Sequence, residues 1–398
     1  MPTVPSARDS SPSAPLTTAP ALARRPRLLV VGPLPPPLGG VQLLNDMVLR
    51  SSLRNEFEIR TVNTSKNVLR WAVETRTWRT PFHFVRDLSR LLLMLARFHP
   101  DVVVVHSAQS LSFLRDWAFM SMSRLSGARV VCHYHGTPHA RFPSAQTAFG
   151  RWAGGVLVRA AHRVIVVSPG YSAEFARAWR RPDVTWLPNG TEVALFERAQ
   201  APRAPWLEAG ERGILFMGRL STPKGIWDLL DAIPGVLARH GEARFVLAGV
   251  AEDEAQERAL RGAVERRGLA SHLTFLGSVE GHSRLLAYSS ASIFVLPSWT
   301  EAFPLVIPEA MAAGLPVVVT SVGAIRDFVV DGEDGFVVPP RDPAALTAAV
   351  NRLLDDPALC QRISEHVRMR ARREFDIEAG VTKLSALLRD VLAGAREA

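Results

Sequence analysis

Short apolar runs rich in valine, isoleucine, leucine and phenylalanine recur along the chain, and most are followed by a turn and then by apolar residues at helical spacing. They occupy residues 27–32, 58–62, 101–106, 129–136, 163–168 and 184–190 in the first half, and 213–218, 244–249, 273–277, 292–297 and 316–320 in the second. Strands that are buried on both faces of a parallel sheet have this continuous apolar pattern. The alternation of strand and helix in both halves therefore predicts an α/β fold with two doubly wound, Rossmann-like parallel sheets that face each other across a cleft.

A polar connector divides the chain into two parts. With 398 residues the chain is long enough for two domains that each bury a core. Residues 197–212 are rich in Ala, Arg, Pro, Gly and Glu and interrupt the strand and helix signals. We therefore predict a first domain at 26–200, a second at 201–375, and a C-terminal helix at 376–398 that packs back on the first domain. Residues 1–25, rich in Pro, Ser, Ala and Thr, are expected to form a disordered tail.

The charge is distributed unevenly between the two halves. The net charge is +9, and residues 1–200 carry 25 Lys and Arg against 12 Asp and Glu, whereas residues 201–398 carry 22 against 26. A basic first half favours anionic partners such as phosphates or an anionic membrane surface. No helix-turn-helix, zinc-finger or RNA-recognition pattern accompanies the charge, so we expect no nucleic-acid partner.

Cysteine content and hydropathy indicate the cellular compartment in which the protein resides. Cys132 and Cys360 form no disulfide framework and fit a reducing compartment, and the longest apolar runs are far shorter than the roughly 18 residues of a membrane span. Both observations indicate a cytoplasmic protein. Residues 65–99 interleave aromatic residues with arginines, which is compatible either with peripheral contact at the inner face of the membrane or with solvated surface helices. The interleaved residues are Arg70, Trp71, Arg76, Trp78, Arg79, Phe82, Phe84, Arg86, Arg90 and Arg97.

Residues 298–316 combine two carboxylates with signals for a helix. Pro308 stands where we expect the helix to begin, because the missing N–H of proline costs nothing at the first helical position. Gly314 is expected to end it in the left-handed conformation. The free N–H groups of the helix start suit an anion, while Glu301 and Glu309 suit neutral hydroxyls of the same ligand, and a phosphorylated sugar offers both. The alternative is a surface loop for Glu301 and a helix-dipole partner in Glu309.

Two other strand-to-helix turns carry groups suited to phosphate. Gly39 and Gly40 follow the first predicted strand, where backbone N–H groups of α/β folds approach ligands, although an ordinary connecting loop explains them equally well. In the second half Arg219 and Lys224 follow the strand at 213–218, and they can bind phosphate oxygens as a fork and as a point charge. The chain has only three lysines, which makes a lysine at this turn informative.

Histidines cluster near the strand at 129–136. His133 and His135 alternate onto one face, and His135 lies nearest the C-terminal end, where open α/β sheets bind ligands. A zinc site needs a further ligand, for which His139 is available. The cluster alone favours ordinary buried or rim histidines, so we expect no metal.

The stretch Glu301-Ala-Phe303-Pro-Leu, followed by three residues and Glu309, resembles the signature of retaining glycosyltransferases of family 4, which have the GT-B fold. Further motifs that resemble the family follow in order: the Gly39-Gly40 loop, His135-Gly136, Val167-Ser168, Pro188-Asn189-Gly190, Gly218-Arg219-Leu220, Lys224-Gly225, Gly249, Leu276-Gly277, Pro297-Ser298, Gly314-Leu-Pro-Val-Val and Asp331-Gly332-Glu-Asp-Gly335-Phe. The resemblance extends from Val30 to about Arg373, which is most of the chain.

This resemblance implies a hexosyltransferase that uses a UDP-, GDP- or ADP-sugar and transfers the sugar with retention. Its acceptor would be a glycan, a lipid-linked glycan or a small molecule, in polysaccharide or glycoconjugate biosynthesis. The resemblance also implies that Arg219 and Lys224 bind the donor diphosphate, that Glu309 binds the ribose and that Glu301 binds the sugar hydroxyls. It implies that the backbone of Phe303, Pro304 and Leu305 surrounds the sugar and phosphates, and that His135 lies near the transferred sugar. The Gly39-Gly40 loop would close from the first domain, and the base would lie against the loops after Gly249 and Gly277. No metal is implied, because the two cations and the helix dipole supply the positive charge.

One departure from the family pattern concerns a donor-side loop. After Gly323 the family usually has a second glycine and a glutamate, where this chain has Ala324 and Asp327. Two alternatives to a transferase remain: a catalytically inactive GT-B binding or scaffold subunit, and a relative that epimerises or hydrolyses sugar nucleotides. The presence of every cation and carboxylate of the motif argues against both.

Overall fold

The computed structural model describes residues 24–36, 39–65, 80–107, 112–136, 147–181, 183–198 and 204–394. Its strands are β1 (Arg27–Gly32), β2 (Glu58–Asn63), β3 (Val102–Ser107), β4 (Arg129–Tyr134), β5 (Arg163–Val166), β6 (Val184–Trp186), β7 (Arg212–Met217), β8 (Ala243–Ala248), β9 (Leu273–Gly277), β10 (Ala291–Leu296), β11 (Val317–Thr320) and β12 (Gly335–Val338). Its helices are α1 (Gly40–Arg50), α2 (Leu53–Glu56), α3 (Thr80–Phe98), α4 (Ser112–Leu125), α5 (Ala148–Val158), α6 (Pro169–Trp179), α7 (Val193–Arg198), α8 (Ile226–Leu237), α9 (Glu254–Arg266), α10 (Gly281–Ser290), α11 (Val306–Ala312), α12 (Ile325–Phe328), α13 (Pro343–Asp355), α14 (Pro357–Arg370) and α15 (Ile377–Ala393).

The first six strands form one parallel sheet in the order β2-β1-β3-β4-β5-β6. Successive side chains of β1 point to opposite faces, as in any strand. Leu29 and Val31 enter a core shared with α3, α4, α5 and α6, whereas Leu28 and Val30 enter a core shared with α1, α2 and α15. The sheet is therefore covered on both faces, which explains its continuous apolar strands.

The last six strands form a second parallel sheet in the order β12-β11-β10-β7-β8-β9. In both sheets the order reverses next to the first strand of the half, β1 or β7, which is the doubly wound pattern. The predicted α/β architecture with two such sheets is confirmed. Each apolar run identified in the sequence overlaps one of these strands.

The strand β12, which pairs with the edge of β11, was not predicted from the sequence. Its four residues follow an acidic turn, and no long apolar run marks it. Gly335 begins the strand with φ 142°, and a Cβ there would lie 1.9 Å from the carbonyl oxygen of Val317. The glycine thus allows the two backbones to approach closely.

The expected start of the helix after Glu301 was wrong by two residues. The helix α11 begins at Val306, so that Pro308 is its third residue. Proline is tolerated there because the N–H groups of the whole first turn lack acceptors within the helix. Gly314 has φ 80°, which confirms the left-handed end predicted for it.

The C-terminal helix α15 crosses from the second half of the chain to the first sheet. Its residues Val381, Leu384 and Leu388 are buried in the core that contains Leu28 and Val30. Before it, the backbone N–H of Thr191 donates to the Phe375 carbonyl oxygen at 2.8 Å, and the N–H of Ile377 donates to the carbonyl oxygen of Thr191 at 2.9 Å. The expected tail falls almost wholly on residues 1–23, outside the described residues. No helix in the described ranges is long and apolar enough to cross a membrane.

Candidate active site

The loops that follow β7 and β10 meet at the C-terminal edge of the second sheet. A short 3-10 turn, Thr222–Lys224, ends at Gly225, which has φ 71°. A Cβ on Gly225 would lie 1.9 Å from the Pro297 carbonyl oxygen, so only glycine permits this approach of the two loops. The backbone N–H of Trp299 also donates to the carbonyl oxygen of Pro223 at 2.9 Å. These contacts fix Lys224 beside the residues that follow β10.

Glu301 and Lys224 are joined directly. Lys224 Nζ donates to Glu301 Oε1 at 2.6 Å, and Ser298 Oγ donates to the same oxygen at 2.8 Å. The side chain of Glu301 is 6% exposed and that of Lys224 31%. The carboxylate is therefore held from one side by a cation and a hydroxyl at the rim of the sheet, and the surface-loop alternative for Glu301 does not describe this site.

Arg219 lies on the same loop as Lys224 but is more exposed. Its side chain is 44% exposed, and its Nη1 lies 4.0 Å from Glu252 Oε1, which is at the limit of an ion pair. Gly249 has φ 147°, and a Cβ there would lie 1.7 Å from the Gly218 carbonyl oxygen, so the loops after β7 and β8 are in contact. A weakly held arginine at such an edge can reorient towards an anionic ligand.

Glu309 is fully buried in the first turn of α11 and contacts α10. Arg284 donates to its Oε1, and Tyr288 Oη donates to its Oε2 at 2.8 Å. Burial raises the pKa of Glu309 from its ordinary value, and the nearby Arg284 opposes that rise. Neither partner was predicted from the sequence, although Arg284 and Tyr288 are four residues apart on a predicted helix, which places them on one helix face.

The structure brings the glycine loop of the first half against the second half. A Cβ on Gly40 would lie 4.0 Å from Leu305 Cδ1, and Gly39 caps the start of α1. Leu305 is buried with residues of α1 and α15, while the Phe303 ring stacks on Phe328 with centroids 4.3 Å apart. Leu305 and Phe303 therefore turn their side chains into the core, and Pro304 lies between them.

The loops after β10 and β11 also contact helix α6 of the first half. Tyr171 Oη donates to the carbonyl oxygen of Glu301 at 3.4 Å, and the N–H of Gly170 donates to Asp327 Oδ2 at 3.2 Å. Asp327 is one of the two departures from the family pattern, and here it bridges the two halves. Gly323 has φ 55°, and a Cβ there would lie 1.8 Å from the Glu301 carbonyl oxygen.

Three histidines cluster at the C-terminal ends of β3 and β4. His106 pairs with His133 in the strand register, and His106 Nδ1 lies 2.9 Å from His135 Nε2. Burial, and then the neighbouring histidines, lower the pKa of His106 and of His135 well below 6.5, and burial lowers the pKa of His133 to about 4. All three rings are therefore neutral near pH 7. His139, the further ligand considered from the sequence, lies outside the described residues.

His106 was not predicted to be a site residue. It ends an apolar run, as His135 nearly does, but the runs do not show which strands are neighbours. Only the order β3-β4 in the sheet places His106 beside His133 and His135.

Comparisons with known proteins agree with this architecture. Residues 47–195 match the family described as Glycosyltransferase Family 4, and residues 211–356 match Glycosyl transferases group 1. The glycogen synthase of Mycobacterium tuberculosis is 29% identical over 319 residues, which cover 75% of this chain and 71% of that protein. The phosphatidyl-myo-inositol mannosyltransferase of Mycobacterium leprae is 36% identical over 196 residues, which cover 48% of this chain and 50% of that relative.

Solved structures show the same fold. Sucrose-phosphate synthase from Thermosynechococcus elongatus superposes with a TM-score of 0.74 at 24% identity and covers 92% of this chain and 100% of that chain. The Anabaena protein HepE, solved in complex with UDP and glucose, has a TM-score of 0.70 at 17% identity and the same coverage. The two matched segments together span most of the chain, and both describe glycosyltransferases. The chain therefore belongs to the family 4, group 1 glycosyltransferases and has their GT-B fold.

Proposed function

We propose that this glycosyltransferase transfers a hexose from a nucleoside-diphosphate sugar to a glycan, lipid-linked or small-molecule acceptor and retains the anomeric configuration. The observation that carries the proposal is the hydrogen bond between Lys224 and Glu301, which joins a cation and a carboxylate at the end of the sheet. Arg219 on the same loop adds a second, more exposed cation. A diphosphate needs the cations, and the attached sugar needs the carboxylate.

The two cations are suited to the leaving group. As the bond between the sugar and the diphosphate breaks, negative charge develops on the phosphate, and preorganised positive groups stabilise that charge most when water is excluded. Arg219 offers a planar fork and Lys224 a compact charge. With both present, we propose that the donor diphosphate needs no divalent ion. The complex of HepE with UDP, a nucleoside diphosphate, is consistent with a donor of this class.

Glu309 is proposed to bind the ribose hydroxyls with its remaining acceptor capacity. Each carboxylate oxygen has two lone pairs, so bonds from Arg284 and Tyr288 leave one on each oxygen. Arg284 and Tyr288 therefore orient the Glu309 carboxylate and leave lone pairs that can accept hydrogen bonds from the ribose. The small exposure of this carboxylate means that a ribose must approach it through a narrow opening.

Retention is proposed to proceed by front-side attack of the acceptor, assisted by the leaving phosphate. A covalent intermediate would require a carboxylate nucleophile beside the transferred sugar. Among the described residues, no Asp or Glu belongs to the cluster that His135 forms with His106 and His133. His135 is therefore proposed to orient the sugar, and no covalent intermediate between sugar and protein is proposed.

The acceptor is proposed to be lipid-linked. The first half of the chain is proposed to contact the inner face of the membrane that carries this acceptor. Of the fourteen exposed large hydrophobic side chains among the described residues, ten lie on the adjacent helices α3, α4 and α5. They are Phe82, Val85, Leu92 and Leu93 on α3, Leu114, Trp117 and Leu125 on α4, and Phe149, Trp152 and Val156 on α5. The same helices expose Arg90, Arg97, Arg124 and Arg151, which suits anionic headgroups. Residues 66–79 of the basic stretch lie outside the described residues.

A transfer assay tests the proposed function directly. The purified chain would be incubated with UDP-, GDP- and ADP-hexoses and a membrane extract that contains lipid-linked acceptors, with a chelator present. Sugar incorporation with one nucleotide, and a product with the same anomeric configuration as the donor by NMR, would support the proposal. Donor binding without transfer or hydrolysis under all conditions would instead favour a binding or scaffold subunit.

A further inference from the structure

The three buried histidines at the ends of β3 and β4 have the composition of a metal site. His106 and His133 lie on two hydrogen-bonded parallel strands, and His135 directly follows the second of them. The three residues are 8%, 4% and 7% exposed. The nearest potential ligand nitrogens of the three rings all lie within 4.8 Å of one another. In the described ranges this is the only group of three or more histidine, cysteine or acidic residues with such spacing. The sequence offered only His139 as a third ligand, whereas the fold supplies His106.

The ring positions are close to those of a tetrahedral site. With metal–nitrogen bonds of about 2.0–2.1 Å and tetrahedral angles, the centroids of two bound imidazoles lie about 5 Å apart. The centroid of His106 lies 5.1 Å from that of His133 and 5.2 Å from that of His135. The centroids of His133 and His135 are 4.1 Å apart, so this one pair must separate by about 1 Å.

Polar atoms around the cluster lack partners. His133 Nε2 and His135 Nδ1 are buried and have no hydrogen-bond partner among the described residues. A cavity of about 30 Å³, lined mostly by aliphatic side chains, also contacts His106, His133 and Asn189. The buried Asn189 Oδ1 likewise has no partner among the described residues. Buried polar groups of folded proteins are seldom left unpaired. The cavity is large enough for a water molecule, which can complete the coordination of an ion.

We propose that His106, His133 and His135 together bind one divalent transition-metal ion, with zinc as the best fit. Three imidazoles and a water form the ligand set of open zinc sites, whereas magnesium and calcium require oxygen ligands that the three side chains do not offer. Binding replaces the hydrogen bond between His106 and His135, because the ion takes one nitrogen from each ring. The site lies in the first half of the chain and is separate from the cations of the donor diphosphate.

Occupancy of this site has a consequence that rests on the proposed function. His135 is proposed to lie near the transferred sugar, and an ion bound to its ring withdraws that ring from the sugar. Zinc at stoichiometric concentration is therefore expected to lower the rate of transfer, and a chelator is expected to restore it. Magnesium is expected to have no such effect.

Cobalt binding tests the site without any assay of activity. The full chain, without a polyhistidine tag and stripped with a chelator, would be titrated with Co²⁺ while visible d–d absorption is recorded. We expect an intense tetrahedral-type spectrum that saturates at one ion per chain and is removed by one equivalent of zinc. His106→Asn and His133→Asn should each weaken cobalt binding by about 10–100-fold or more. Loss of a residue that only supports a metal ligand already has an effect of that size.

A matched control separates this site from adventitious binding. His282→Asn changes an exposed histidine on α10 and should leave the spectrum and the affinity unchanged. Thermal unfolding of each stripped variant checks that it is folded, and zinc should raise the midpoint of the wild type but not that of His106→Asn. Absence of the spectrum at stoichiometric cobalt, or equal affinity in His106→Asn and wild type, would overturn the proposal. Zinc binding that leaves transfer unchanged would overturn only the proposed role of His135.

Discussion

Lys224 and Glu301 form a hydrogen-bonded ion pair, with Nζ and Oε1 2.6 Å apart, although 77 residues separate them in the sequence. The pair holds the loop after β7 against the loop after β10. A lysine that already points at the carboxylate needs little rearrangement to move to a phosphate, and Ser298 still holds Glu301 when it does so. The ion pair therefore holds both charged groups in place at the end of the second sheet.

Glu301→Gln is expected to lower sugar transfer by about 100-fold or more, because it removes the negative charge that holds Lys224 and that is proposed to bind the sugar hydroxyls. The amide keeps the size of the side chain, so the midpoint of thermal unfolding should change little. Initial rates with saturating donor, together with a melting curve, measure both effects. Glu265→Gln is the control, because Glu265 is an exposed carboxylate in the last turn of α9. Transfer within twofold of wild type in Glu301→Gln would remove Glu301 from the site.

Arg284→Met is expected to destabilise the fold by about 3–5 kcal/mol, since it leaves the buried carboxylate of Glu309 without its cation. The double variant Arg284→Met with Glu309→Gln should recover much of that loss, because no buried charge remains. Urea unfolding of the two variants and of the wild type measures the free energies. If the double variant is no more stable than Arg284→Met alone, the pair does not carry the stability assigned to it.

Vesicle binding is expected to depend on the apolar side chains of α3 and α5. Phe82→Asp and Trp152→Asp each place a charge among side chains that are 69% and 63% exposed, and both should reduce sedimentation with phosphatidylglycerol vesicles. Met369→Asp, at a residue of α14 that is 62% exposed, is the matched control and should bind as the wild type does. Equal loss in all three variants, or none in any, would exclude this face as the docking surface.

Stability is expected to fall as the pH is lowered from about 6.5 towards 4, in part through His162. Burial first, and then the nearby Arg124, Arg129 and Arg181, lower its pKa from 6.5 to about 4 in the folded chain. Its Nδ1 accepts a hydrogen bond from the N–H of Val130 at 2.9 Å. Because the folded pKa is lower than the unfolded one, this contribution is complete above pH 6.5 and is lost as the pH falls through the folded pKa.

Melting curves at pH 7.5, 6 and 5 measure that effect. His162→Gln should be less stable than the wild type at pH 7.5, because the hydrogen bond to Val130 is altered, but its midpoint should fall less steeply with acid. Parallel declines in the two proteins would show that His162 does not contribute to the pH dependence.

The sequence predicted the strands well because a strand buried on both faces has a pattern of its own. The runs around Val30, Val104 and Val318 are continuous and apolar, and each is a central or covered strand of its sheet. The strand at 335–338 was missed because it is short and lies at the edge of the sheet. The helix that begins at Val306 was predicted to begin at Pro308, because proline is tolerated throughout a first helical turn and does not mark its first residue.

The composition of the site was predictable only in part. Glu301 and Lys224 could be named from motifs, but their direct contact depends on Gly225 and on the pairing of β7 with β10. The partners of Glu309 and the place of His106 depend on which helices and strands are neighbours, and local sequence patterns carry no such information. These neighbours determine which buried charges and imidazoles have partners.

The most direct test of the central claim is calorimetric titration of the chain with UDP, GDP and ADP in the presence of a chelator. We expect that one of them binds without a metal, and that Lys224→Ala weakens this binding by about tenfold or more, as loss of a hydrogen bond to a charged group does. Arg258→Ala, at an exposed arginine of α9, should bind as the wild type does. Failure of all three nucleotides to bind, or undiminished binding in Lys224→Ala, would contradict the account.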